Sequence, residues 1–484
     1  MENLNLTAWE IKSFCEKHGM DTDSLWNEVL CRIKLSSIER ALKVGKRSGA
    51  DVLALLEAAL AAKLFVIGSV LGFFARKLAD VDFEKTALYR FFQNSHVDWR
   101  GALYDVNRQL GTKMKDGEAP LPKVCILDDS TIDKTGKRIE GVSYVHDHVG
   151  MRWVLGFKLL ALAWFDGCTC RVLDTALVKE KSSLLKKIVG KFRKKRDTTS
   201  CGAKRKAEMA KDKISLAISM LKRAVRKGFI PDIVQTDSWF SCLKFIKAVR
   251  TLANGSVHFL GMIKFGTRNF ECEGKLLNLS GLRRANIGNA KRCRRFNSRY
   301  IQVDCVLPGL GAVRIFISRY AGSRKWVALL TTDMTMTYVK AIETYMIRWN
   351  IEICFKEAKQ ILGLEKCQAR DFDSQIAHIA LVFMVHALLV DLKAREEYRS
   401  LGVLFEALGD QRRTALVTER LLALFEEFLR TAADSLGGIG NVSVKELLES
   451  DVFDMFKKIL LGTLTDFIEK WNPPQLVEGE SKAA

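Results

Sequence analysis

The chain has 484 residues, too many for one ordinary core, so roughly two to four domains are expected. Hydrophobic residues make up 48% and charged residues 27%, which excludes a mainly disordered chain. A formal net charge of +21 calls for a polyanionic partner. Nucleic acid comes first and an anionic membrane surface second, with a merely basic soluble protein as the plain alternative.

Residues 1 to about 114 read as helical: apolar residues recur at helical spacing and proline is absent. No signal peptide is expected, because Met1 is followed by polar, acidic sequence. The apolar run 52–75 is long enough for a membrane span, but Glu57 and Lys63 interrupt it, and a buried helix is expected. The linker KDGEAPLP at 115–122 ends this helical region.

From 123 the pattern turns to strands. KVCILDD is a short apolar run that ends in acids, the mark of a buried strand. MRWVLGFKLLALAWF (151–165) and CRVLDTALV (170–178) form a hairpin across Asp166-Gly167. The basic stretch 179–227 reads as largely helical. It holds Lys191, Arg193, Lys194, Lys195 and Arg196, candidates for backbone-phosphate contact. IPDIVQT runs into Asp237, and SVHFLGMIKF (256–265) follows. Residues 267–334, glycine-bearing and with basic pairs between Arg283 and Arg299, read as a β-rich insertion ending in KWVALLTTD. A helix is expected over 337–362, capped by Gly363, and the remainder is helical. Within it, Ile376–Val390 reads as a core helix with His378 and His386 inside it. The 12 cysteines include no CxxC pair and are expected to be reduced core residues of a cytoplasmic protein. Cys168 and Cys170 are expected to share one strand face.

On the helix 337–362, placing Tyr345 at zero and turning about 100° per residue brings Arg348, Glu352 and Lys359 within an arc of about 60° of it. Glu343, Asn350 and Glu357 form a second polar stripe, with apolar residues between the two. A surface helix needs one solvated face, so one stripe is expected to face a polar cavity. The first is the better candidate, with one carboxylate and three donors for phosphate oxygens. The alternative is two solvated stripes and an ordinary i,i+4 ion pair. Acids at the ends of buried strands, Asp128–Asp129 and Asp237, add carboxylates of the kind that hold hard divalent cations for phosphodiester chemistry. A turn at Asp129 and a helix cap at Asp237 are the blander readings.

YMIRWNIEICFKEAK fills a Y-(2)-R-(3)-E-(6)-K signature, and in this it resembles the insertion-sequence-four family of DDE transposases. CILDDSTIDK is similar to the family's first catalytic strand and points to Asp129, with Asp128 beside it. IVQTDSWF is similar to the second and gives Asp237, and LYRFFQN (88–94) resembles an element ahead of the core. The likeness spans about residues 85–395. It implies an α/β fold: a ribonuclease-H-like mixed-sheet core in two parts, 119–266 and 335–395, interrupted by the β-rich insertion 267–334. A helical DNA-binding region, 1–118, and a helical C-terminal region, 396–484, a candidate for dimerisation, would flank it. The implied activity is cut-and-paste transposition through hairpin ends. Two Mg²⁺ ions, replaceable by Mn²⁺, would be held by the catalytic residues Asp129, Asp237 and Glu352. Tyr345, Arg348 and Lys359 would clamp phosphates, and Trp326 would accept a flipped base. The implied partners are double-stranded DNA, as terminal inverted repeats and target, and a second copy of the chain, with no membrane. The rivals are another ribonuclease-H-like nuclease such as a junction resolvase, an inactive transposase-derived DNA-binding protein, and a membrane protein.

Overall fold

The structure is a computed structural model that describes residues 32–44, 49–65, 83–111, 121–148, 150–179, 192–396 and 400–401. All of these lie in one of two units of the chain, Val29–Ala75 with Val81–Leu404. The expected helical region 396–484 and Lys191 fall almost wholly outside the described residues.

Among the described residues four helices come first: α1 (Leu35–Leu42), α2 (Val52–Phe65), α3 (Lys85–Gln93) and α4 (Trp99–Gln109). The described part of the apolar run, α2, is a buried helix, with Leu55, Leu56, Ala59 and Leu60 sealed from solvent. Asp98 caps α4 by accepting from the Gly101 amide at 2.8 Å.

The sheet begins with β1 (Val124–Asp133), β2 (Ser143–Asp147), β3 (Arg152–Phe165) and β4 (Cys170–Val178). β1 and β3 pair antiparallel along ten positions, and the Asp-Gly turn joins β3 to β4 with Gly167 at φ +108°. Cys168 lies in that turn, exposed, and only Cys170 is buried in the strand. The two therefore do not share a strand face, because the tight turn consumes the first of them.

Next come α5 (Cys201–Glu208), α6 (Lys213–Arg226), β5 (Ile233–Thr236), α7 (Leu243–Arg250) and β6 (His258–Ile263). α6 buries Leu216, Ala217, Met220, Leu221 and Ala224, a helical-period face. β5 is buried along its whole length, as a strand covered on both faces must be. Residues 192–199 form no helix, so the helical reading of the basic stretch holds for α5 and α6 alone among the described residues.

The segment after β6 contains β7 (Asn269–Cys272), β8 (Lys275–Asn278), α8 (Leu279–Ala285), β9 (Lys291–Cys293), β10 (Ser298–Leu307), β11 (Gly311–Tyr320) and β12 (Val327–Thr331). These strands extend the same sheet, whose order is β2-β3-β1-β5-β6-β12-β11-β10-β7-β8, with β4 on β3 and β9 on β10. β12 pairs antiparallel with β6, so the segment 267–334 is continuous with the core sheet. β1, β5 and β6 run parallel and β3 runs against them. This mixed α/β sheet with flanking helices is the ribonuclease-H-like arrangement expected from the sequence.

The last helices among the described residues are α9 (Tyr338–Met346), α10 (Trp349–Gln360) and α11 (Phe372–Glu396). Of these, α11 is long and apolar enough to cross a membrane, yet 94% of its apolar window is buried inside the protein. His378 and His386 are both inside it. The ring of His378 meets the Gly363 and Leu364 carbonyls at 3.1 Å, and that of His386 meets Glu357 at 2.9 Å. The helix expected over 337–362 is two helices. At Ile347 and Arg348 the backbone bonds tighten to i→i+3, the Arg348 amide reaching the Tyr345 carbonyl at 3.0 Å. Gly363 does follow α10 in the left-handed region, at φ +64°.

Candidate active site

Side chains alternate across a strand, and β1 uses this to separate two acids. Cys125 and Leu127 pack with Leu216, Ala217 and Met220 of α6. By alternation Asp129 and Thr131 face the same way. Val124 and Ile126 pair with Ile233 and Gln235 of β5, on the other face. There Ile233 packs with Ala341 and Ile342 of α9, and the Gln235 amide donates to the Thr344 carbonyl at 2.6 Å. Asp128 falls on this second face.

The contacts agree. One Asp128 oxygen accepts from Arg348 at 3.0 Å, and the same guanidinium donates to Glu352 at 2.5 Å. Asp237 follows β5 directly, and the ladder between β1 and β5 ends at Leu127–Thr236, one residue before each acid. Asp128 and Asp237 therefore stand side by side where the parallel ladder of β1 and β5 ends. Their proximity has an electrostatic signature: the Asp128 carboxyl is pushed up to about 7, by burial first, with a contribution from the Asp237 charge, against the opposing pull of Arg348.

Asp237 also organises its own loop. Its Oδ1 accepts from the amides of Trp239 (3.0 Å) and Phe240 (3.3 Å), and no helix starts until Leu243. Tyr345 sits at the same place, with its hydroxyl 3.5 Å from the Thr236 carbonyl and its ring 5.8 Å from the Arg348 guanidinium. Burial raises this phenol to about 12. Lys359 donates to the Thr131 carbonyl at 2.7 Å and pairs with Glu365 at 2.9 Å. The stripe Tyr345, Arg348, Glu352, Lys359 thus lies beside β1 and the end of β5, with Tyr345, Arg348 and Lys359 meeting polar groups there. The other stripe is not merely solvated either, since Glu343 pairs with Arg295 and Glu357 with His386. What does face solvent is the apolar band between them: Met346, Trp349 (60% exposed) and Ile353.

Asp129 is not in this group. β1 does not end at the acids but continues to Asp133, so alternation applies through them and turns Asp129 to the α6 face. There it meets Lys213 at 3.1 Å and Lys158 at 3.7 Å. The sequence reading pointed to Asp129 with Asp128 beside it; the structure puts Asp128 on the face of Arg348 and Glu352, a distinction adjacent aspartates do not show until the register of β1 against β5 is known.

Trp326 precedes β12 at the same end of the sheet, since β12 runs against β6 and begins beside Ile263. The guanidinium groups of Arg283 and Arg319 lie 5.8 and 5.3 Å from its ring. The basic cluster is divided. Arg193 and Lys195 are exposed, whereas Arg196 is bound to Glu140 and Asp373, and Lys194 to Asp373. Two of its cations are therefore structural.

Residues 50–262 match the family model of the DDE superfamily endonuclease. The match takes in Asp128, Asp129 and Asp237, covers under half of the chain and stops before Glu352. A DDE endonuclease domain of this kind implies a nuclease-type enzyme with DNA as substrate and divalent metal in its chemistry. No curated protein matches the chain. The donor set is of the kind that suits such a metal: Asp128, Asp237 and Glu352 offer carboxylate oxygens, and the Asp237 charge bears on Asp128. Among the described residues no three acids, histidines or cysteines are gathered closely enough to hold an ion, and Arg348 bridges Asp128 to Glu352.

Proposed function

We propose that the protein is a DNA transposase of the insertion-sequence-four type, cleaving transposon ends and joining them to target DNA. Asp128, Asp237 and Glu352 are its metal-holding residues. The observation that carries the reading is the single face on which Asp128, Asp237, Glu352, Arg348 and Tyr345 come together where the parallel ladder of β1 and β5 ends. Two bound Mg²⁺ ions would supply an activated oxygen nucleophile and a counter-charge for the leaving oxygen. The chain's own groups do the rest. Arg348 and Lys359 offer donors for non-bridging phosphate oxygens, and the Tyr345 hydroxyl, kept protonated, offers another. With metal bound, Glu352 would serve as a ligand, and the Arg348 group that now donates to it would be available to phosphate. Trp326, with the guanidinium groups of Arg283 and Arg319 near its ring, would offer an aromatic surface to a base drawn from the duplex during hairpin formation. A second copy of the chain would hold the other transposon end.

The test is cleavage of a labelled duplex carrying the terminal repeat that flanks the gene, with Mg²⁺ or Mn²⁺, resolved on a denaturing gel. Asp128→Asn, Asp237→Asn and Glu352→Gln should each abolish nicking while leaving end binding largely intact. Asp129→Asn should retain measurable cleavage. Appreciable nicking by Glu352→Gln overturns the assignment. Cleavage indifferent to the terminal repeat favours a generic nuclease.

A further inference from the structure

The backbone ladder between β1 and β5 stops at Leu127–Thr236, so no strand pairing spans the two acids that follow it. Like charges placed there would drive the segments apart. A chain of side-chain contacts on the opposite face closes the gap. Asp128 Oδ1 accepts from the Asp129 amide at 2.8 Å. Asp129 Oδ2 meets the Lys213 ammonium at 3.1 Å. That ammonium lies 5.0 Å from the centre of the Trp239 ring. The Trp239 amide donates to Asp237 Oδ1 at 3.0 Å. From behind, Lys158, 2% exposed, holds Asp129 at 3.7 Å and is itself fixed by Thr131 Oγ1 at 2.9 Å.

Two features argue that Lys213 is there for this purpose. It is the first residue of α6, where a cation opposes the helix dipole. A residue that breaks a local rule is held by a tertiary role. Trp239 is 49% exposed, an indole left at the surface and covered by this ammonium.

We propose that Lys213 is a positioning residue: with Asp129 and Trp239 it clasps β1 to the loop after β5 and so sets the spacing of Asp128 and Asp237. The inference rests on the reading of Asp128 and Asp237 as metal ligands. Lys213 touches neither acid; it acts through their neighbours.

The experiment measures Mn²⁺ binding to the full-length protein without DNA, by the paramagnetic resonance signal of free Mn²⁺, alongside duplex affinity in chelator. Lys213→Ala and Trp239→Ala should each weaken Mn²⁺ binding by about tenfold, the usual effect of removing a group that orients ligands. Duplex affinity in chelator should change less than about twofold, and Lys213→Arg should recover most of the loss. If Lys213→Ala binds Mn²⁺ as wild type does and loses duplex affinity instead, Lys213 is a phosphate contact and the clasp is refuted. Should Lys213→Ala melt early, Trp239→Ala carries the same expectation, and unchanged Mn²⁺ binding by it refutes the proposal equally. Asp128→Asn separates the two ideas. Loss of Mn²⁺ binding there with none in the clasp variants sinks the clasp alone, whereas no loss there sinks the ligand assignment and the clasp with it.

Discussion

Burial raises the Asp128 carboxyl to about 7, and Asp237 contributes, while the Asp129 amide and Arg348 oppose the rise. Because the folded value exceeds the ordinary 3.8, ionising Asp128 costs folding free energy. The cost is absent in acid, grows as pH rises from about 4 through about 7, and is constant above. Asp128→Asn cannot ionise, so in metal-free buffer it should stabilise the protein at pH 8 by ~1–3 kcal/mol and hardly at all at pH 4. Melting temperatures at the two pH values check this, and an equal difference at both would count against it. At Trp326 the competing roles are core residue and base platform. Base stacking is worth ~1–3 kcal/mol, so under the proposed function Trp326→Ala should nick ends nearly normally and form hairpins poorly. A melting temperature far below wild type would instead show that the indole packing against the core is what matters.

At the scale of elements, the position of the acids depends on how β1 meets β3. Gly156 of β3 pairs with Asp133 of β1 and with Ser143 of β2, and a Cβ there would stand 2.0 Å from the Ile132 carbonyl oxygen. Backbone cannot yield as a flexible side chain does. Gly156→Ala should therefore displace the end of β1, destabilising by ~1–3 kcal/mol and slowing cleavage along with it. Urea midpoints and the end-nicking assay would show both, and a fully stable, fully active variant would mean that β1 tolerates the shift. The break between α9 and α10 acts at the same scale. The tightened turn at Ile347–Arg348 brings Arg348 to Asp128 and Glu352, a placement that one uninterrupted wheel describes only approximately.

Across the whole molecule, charge is used in two ways. Asp174 of β4 is fully buried between Arg100 of α4 and Arg223 of α6, with Tyr104 donating at 3.2 Å. Burial alone would raise its carboxyl, but the guanidinium groups outweigh it and hold it below the ordinary 3.8. The stability it contributes is present above that value and is lost as pH falls through the lower folded one. Arg196 is of the same kind, so Arg196→Gln should destabilise by ~3–5 kcal/mol, because it leaves Glu140 and Asp373 short of a partner. The exposed Arg193 and Lys195 are different. Neutralising both should flatten the salt dependence of DNA affinity, by about one unit of slope for each phosphate no longer neutralised, with little change in melting. An unchanged slope would make them a solvated face.

Periodicity and turn chemistry already specify much of this in the sequence. The alternating and apolar runs mark β1, β3 and β5, the Asp-Gly pair marks the hairpin, and the spacing of Tyr345, Arg348, Glu352 and Lys359 marks one face of a helical segment, because each is a local relation between nearby residues. The choice between Asp128 and Asp129 is not local. A shift of one residue exchanges the two faces of a strand, and only the pairing of Leu127 with Thr236 assigns Asp128 to the side of Glu352 and Asp129 to that of Lys213. The same holds for the basic cluster, where Arg193 and Arg196 read alike until Glu140 and Asp373, distant in sequence, arrive beside one of them. Contacts between residues far apart in the chain decided these points, and no spacing along it encodes them.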